Sequence, residues 1–184
     1  MSSHSPIDDS VASLPIVIAP SPILKARALP VGPADADIVR DLIPRMFQTM
    51  YRAPGIGLAA PQVSHGLRVI VIDLMREDKS VPYAMVNPEI VATADELATR
   101  EEGCLSLPNQ YAEITRPARV KVRYFDPQGA KREVEADGLF SACLQHEIDH
   151  LNGILFVDHL SNLKRNMIMR RLAKEIRQKS EGKS

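Results

Sequence analysis

Apolar side chains recur at helical spacing in three stretches of this 184-residue chain and alternate with polar ones in the span between. The first stretch, Ala34 to Tyr51, sets Ile38, Leu42, Met46, Phe47 and Met50 on one helical face. Pro44 lies inside it, and an interior proline removes a backbone hydrogen bond, which predicts a bend or a later start. "LRVIVIDL" (67–74) and "YAMVNPEIVA" (83–92) are β-branched runs of strand length. Residues 113–138, "EITRPARVKVRYFDPQGAKREVEADG", alternate on either side of "DPQG", a type I turn signature, and predict a hairpin. From Leu139 to Asn152 helical spacing returns through Leu139, Phe140, Cys143, Leu144, Ile148 and Leu151, and Gly153 is its stop. A last helix begins at Ser161, with Leu163, Met167, Leu172 and Ile176 as its apolar stripe. Strands in the middle with helices segregated around them predict an α+β fold. Antiparallel sheets would surround the helix at 139–152, with one helix N-terminal and one C-terminal to them.

Single domains cluster at about 100 to 200 residues, so one domain is expected over 1–184. Residues 1–13 are Ser-rich and polar and are expected to form a loose tail. The chain carries 23 basic and 23 acidic residues, a formal net charge of zero. That removes any global electrostatic footprint, so neither a DNA nor a membrane partner is expected. No apolar run approaches the roughly 18 residues of a transmembrane helix, and "MSSHSPIDDS" lacks the basic and apolar stretches of a secretory signal. A cytoplasmic location is expected. The two cysteines, Cys104 and Cys143, are too few for a disulfide scaffold; a single bridge between them is compatible with the sequence. In a reducing compartment such cysteines are buried filler, metal ligands or nucleophiles.

The predicted helix at 139–152 carries "LQHEIDHLNG" (144–153), with two histidines four residues apart and a glutamate directly after the first. At about 100° per residue, His146 and His150 stand roughly 40° apart on successive turns, able to share one small ion. Two such histidines can also be structural, but the intervening Glu147 makes the stretch an HExxH motif, in which the glutamate handles protons while the histidines hold a metal. Asp149 reads as orienting a ligand or pairing with an arginine such as Arg116. A catalytic ion needs a third protein ligand and an open position. The zinc-protease pattern HExxHxxGxxH holds through Gly153 but meets Phe156 where its last histidine belongs. Cys143 lies about 10 Å along the helix axis from His150 and is better placed as core or pocket wall. Cys104, after a glycine in "EEGCLSLP", can bring a thiolate from a loop or strand end, though it also suits an inert buried site. A non-catalytic module would close the metal with a fourth ligand such as Asp158 or His159.

Three stretches together resemble the signature motifs of the peptide deformylase family: "GIGLAAPQ" (55–62), "EGCLSLP" (102–108) and "QHEIDHLNG" (145–153). The resemblance runs from about Ile16 to the C-terminal helix. It implies removal of the formyl group from N-formylmethionyl peptides, with release of formate. Cys104, His146 and His150 match the metal ligands, and Glu147 the catalytic acid and base. Gln62 and the backbone N–H of Leu105 match the oxyanion donors. Ile56, Leu139, Ala142 and Cys143 match the methionine pocket, with Glu102 at its edge. Gly55 and Gly57 leave backbone bare enough for an extended peptide to pair with it as an added strand, and Gly103 lets the backbone come close beside Cys104. The implied ion is one divalent cation, Fe2+ as the native metal, and an N₂S donor set also suits Zn2+, Co2+ or Ni2+. Tyr111 departs from an arginine found near the peptide path in some members. The basic C-terminal helix makes a ribosome contact the implied partner surface.

Overall fold

The computed structural model describes residues 7–75 and 79–182. A five-stranded antiparallel sheet runs in the order β1 (Gly57–Ala59), β2 (Val69–Ile72), β3 (Tyr83–Thr93), β6 (Arg119–Phe125) and β7 (Lys131–Asp137). A second, two-stranded sheet pairs β4 (Leu97–Cys104) with β5 (Leu107–Pro117). Four helices, α1 (Pro22–Lys25), α2 (Ala36–Arg52), α3 (Gly138–Leu151) and α4 (Asn162–Glu181), complete the α+β architecture. No helix among the described residues is long and apolar enough to cross a membrane.

Strand β2 shows why the layers form. All four of its residues are buried, and successive side chains point to opposite faces of a sheet. Ile70 and Ile72 pack with Leu144, Ile148 and Leu151 of α3, while Val69 and Val71 pack with Leu42, Met46 and Met50 of α2. The sheet is thus covered on both faces. A third cluster joins Ile168 and Leu172 of α4 to Leu107 and Ile114 of β5 and to Phe156.

Several sequence expectations need adjustment. The helix expected from Ala34 begins at Ala36 after a short 3-10 turn and continues unbroken past Pro44. The long first arm of the expected hairpin is two strands in different sheets. Pro117 has no N–H to offer a ladder; its carbonyl accepts from Gln145 Nε2 at 3.0 Å, and the chain crosses from β5 to β6 there. Beyond that point the hairpin forms as expected. The Asp126 carboxylate accepts the N–H groups of Gln128 and Ala130 at 3.0 and 2.9 Å and closes the turn between β6 and β7. Residues 1–6 of the expected tail lie outside the described residues. After them, Asp8 N–H donates to Gln48 Oε1 at 2.7 Å and Asp9 pairs with Arg52, so this part of the segment is tied to α2.

Two local devices hold the frame. Asp73, fully buried after β2, accepts hydrogen bonds from Tyr51, Ser80 and the N–H groups of Met75 and Val81. Gly153 ends α3 with φ +73°, and a Cβ there would stand 2.3 Å from the carbonyl oxygen of Lys25. Only glycine lets α1 close over the end of that helix.

Gly153→Ala is therefore expected to cost about 2 kcal/mol or more, combining a clash with a left-handed backbone, read as a lower urea midpoint. For Asp73, burial alone would push the carboxyl up, but the hydrogen bonds from Ser80, Met75, Tyr51 and Val81 outweigh it and hold it below the ordinary carboxylate value. Its contribution to stability is complete above the usual carboxylate range and is lost as pH falls through the depressed value. Asp73→Asn is expected to lower stability at pH 7 and to flatten the acid limb of a stability–pH profile. An unchanged acid limb would remove Asp73 as its source.

Candidate metal centre

Helix α3 lies between the two sheets, which is why His146, Glu147 and His150 are all buried. Its apolar residues turn to β2, and the two imidazoles face the end of β4, where Cys104 ends the strand. One ring nitrogen from each histidine and the Cys104 Sγ lie within 4.8 Å of one another. The Cys104 Sγ is 3.3 Å from His150 Nε2. Tetrahedral ligands bound at about 2.0–2.3 Å stand roughly 3.5 Å apart, so the donors fit a small divalent ion.

The imidazole of His146 is oriented from behind. Its Nδ1 faces the Glu102 carboxylate at 3.0 Å, which leaves Nε2 for the centre. Arg116 clamps that same carboxylate with two hydrogen bonds of 2.6 and 2.9 Å. Its Nη1 also reaches Asp149 at 2.8 Å, the pairing the sequence suggested. Burial would raise the Glu102 carboxyl, but Arg116 and His146 prevail and hold it at about 2. A permanently ionised Glu102 keeps His146 in one tautomer.

Glu147 is placed differently. It has no such partner; burial, against the pull of His146, pushes its carboxyl up to about 7. Its Oε2 is buried without a hydrogen-bond partner among the described residues. A carboxyl near neutrality beside a metal site suits proton transfer in both directions. Gly57 of β1 makes room for it, since a Cβ there would lie 2.5 Å from Glu147 Oε1 and 2.9 Å from Cys143 Sγ.

Gln62 enters from a 3-10 turn after β1. Its Oε1 accepts from Ala59 N–H at 2.9 Å, and its Nε2 lies 3.5 Å from Cys104 Sγ and 3.2 Å from Ser106 Oγ. The carboxamide is thus held with its N–H₂ toward the centre. Ile56, Gly57, Glu102, Gly103, Leu105, Leu139, Ala142 and Cys143 all line one cavity of about 450 Å³ that reaches Cys104, His146 and Glu147. The structure therefore brings together every site residue picked out in the sequence. Glu102 does more than sit at the edge, because its carboxylate serves His146. Ser106 carried no signal in the sequence, since a lone serine in "CLSLP" has no spacing to mark it. Both cysteines are free thiols, and burial pushes the Cys143 thiol up, which suits a neutral wall.

Two alternatives in the sequence lose their basis. Phe156, at the position of a protease's last histidine, sits alongside the His146 ring at a centroid distance of 6.4 Å. His159 pairs with Asp149 and Asp158 with Lys25 and Arg165, so neither closes the metal group.

Comparison with known proteins agrees with this geometry. The family model described as polypeptide deformylase matches residues 13–166. A peptide deformylase of Mesorhizobium japonicum is 51% identical over 170 residues, covering 92% of this chain and 96% of that one. The crystal structure of a peptide deformylase from Legionella pneumophila superposes with a TM-score of 0.85 at 44% identity, covering 92% of this chain and 98% of that one. One from Synechococcus elongatus, solved in complex with actinonin, gives 0.82 at 40% identity, covering 93% and 94%. With the three motifs converging on one metal-binding group, the chain belongs to the peptide deformylase family, metal-dependent hydrolases that remove the formyl group from the N-termini of nascent polypeptides.

Proposed function

We propose that residues 1–184 act as one catalytic unit in the cytoplasm, with a single ferrous ion held by Cys104, His146 and His150. The observation that carries this reading is the convergence of those three donors within 4.8 Å beside the unpartnered Oε2 of Glu147. Iron rests on the family resemblance, because the donor set by itself suits several first-row metals.

When bound, the ion supplies Lewis acidity toward water and toward the formyl carbonyl. The methionine side chain of the substrate lies among Ile56, Leu139, Ala142 and Cys143, and the peptide backbone runs between β1 and the end of β4. Glu147 takes a proton from the attacking water and returns it to the departing amine, as its pKa of about 7 favours. Gln62 Nε2 and the Leu105 N–H donate to the oxygen on which negative charge develops, and such a donor is typically worth about a hundredfold in rate. The outward face of α4, with Arg170, Lys174 and Arg177 exposed, supports a contact with ribosomal RNA where nascent chains emerge.

Formate release from formyl-Met-Ala-Ser by anaerobically purified protein tests the activity. It is expected to stop on chelation and to return with ferrous salt; equal recovery with zinc would overturn the choice of iron. Glu147→Ala is expected to retain metal, by elemental analysis, and to lose at least about a hundredfold in kcat. Cys104→Ala is expected to lose metal affinity. Full activity in the Glu147→Ala protein would remove that residue from its role.

A further inference from the structure

A second groove, of about 260 Å³, lies between β5 and α4 and is distinct from the cavity at the metal centre. Tyr111 belongs to the walls of both. It lies opposite Gly103 in the β4–β5 register, its ring packed over that glycine, and it is 61% exposed. One step along β4 from Gly103 is Cys104. Tyr111 is therefore a ridge: a chain leaving the metal centre past Gly103 crosses it and meets the groove.

The groove is built by the α4 residues Lys164, Met167, Ile168 and Arg171, at helical positions i, i+3, i+4 and i+7, which share one face. Helix α4 is anchored in register with β5, since Glu175 accepts from Gln110 Nε2 at 3.0 Å and from Asn109 Nδ2 at 3.5 Å. Met167 is 53% exposed in the groove, between the exposed cations Lys164 and Arg171. Glu113 is the carboxylate on the β5 side. The basic stripe Arg170, Lys174 and Arg177 lies about a quarter turn away round the helix and does not face the groove.

We propose that this groove is a subsite for the downstream part of the polypeptide substrate. It takes an apolar residue flanked by acidic ones, at the fourth and later positions of the formylated chain. The inference rests on the deformylase reading above. Continuity across Tyr111 supplies the path, and the paired cations around Met167 supply the preference. An extended chain advances about 3.3–3.6 Å per residue, so each residue added beyond a tripeptide carries the chain further from the metal centre toward the groove.

The test compares formyl-Met-Ala-Ser with hexapeptides that extend it by Asp-Leu-Glu, Asn-Leu-Gln or Lys-Leu-Lys, on the metal-loaded enzyme. The acidic hexapeptide is expected to show a KM about three- to tenfold below that of its amide counterpart, with similar kcat. That advantage should shrink as salt rises. The double variant Lys164→Glu/Arg171→Glu is expected to lose the preference or invert it toward the lysine peptide, while its tripeptide turnover stays within about twofold of the parent. Lys164→Arg/Arg171→Lys should keep the preference. Equal KM values for the three hexapeptides would overturn the subsite, as would a double variant that retains the preference. So would an unchanged preference accompanied by loss of ribosome co-sedimentation in that variant, which would assign these cations to RNA. No tripeptide turnover by the parent protein would instead defeat the deformylase reading itself, so the two failures are distinct.

Discussion

The centre depends on a buried ion pair that holds no metal. Arg116 of β5 and Glu102 of β4 are almost wholly shielded, with side-chain exposures of 7% and 8%. Taking either partner away leaves a charge stranded out of water, at about 3–5 kcal/mol. The pair is extended at both ends. Glu102 holds Nδ1 of His146, and Arg116 reaches Asp149, which accepts from His159 as well. Strand pairing, the pose of α3 and the direction of one imidazole are thus set by a single run of charge-assisted hydrogen bonds. The two carboxylates nearest the centre diverge for the same reason. Glu102, clamped by Arg116, stays ionised at about 2, whereas Glu147, buried with its Oε2 unpartnered among the described residues, rises to about 7.

The remaining frame delivers backbone to that core. The proline-punctuated segment before α2 bonds to both outlying motifs, Val17 N–H to the Gln62 carbonyl and Ala19 N–H to the Ser106 carbonyl. Gln62 and the turn after Cys104 are thereby held in one register. Gly57 lets β1 approach Glu147 closely enough that no larger residue would fit. On the far side, α4 is docked to β5 through Glu175 and leaves a groove lined by Tyr111, Glu113, Lys164, Met167 and Arg171.

Where the chain pattern is strong, the fold could be read directly. The helix bearing the two histidines, the β6–β7 hairpin and both flanking helices follow from periodicity and turn chemistry, because each buries a face of its own making. Strand β4 could not be read so. "LATREEGC" is polar, its exposed residues outnumber its buried ones, and it is a strand because β5 pairs with it. Nor could β1, three residues beginning with glycine, which forms on the edge offered by β2. His146, Glu147 and His150 were legible as residue types at a mechanistic spacing, whereas Cys104 was marked by the family motif around it. The role of Glu102 was not, since a carboxylate in a polar run looks solvated until Arg116, 14 positions on, is seen against it.

The central claim is that one thiolate and two imidazoles share a cation and leave it room for a further ligand. The absorption spectrum of the cobalt-substituted protein addresses it most directly. The account predicts a thiolate-to-cobalt charge-transfer band that disappears in Cys104→Ser but survives in Cys143→Ser, and visible bands that shift when a small anion such as formate is added. Visible bands indifferent to the added anion, or a charge-transfer band that survives without Cys104, would contradict it.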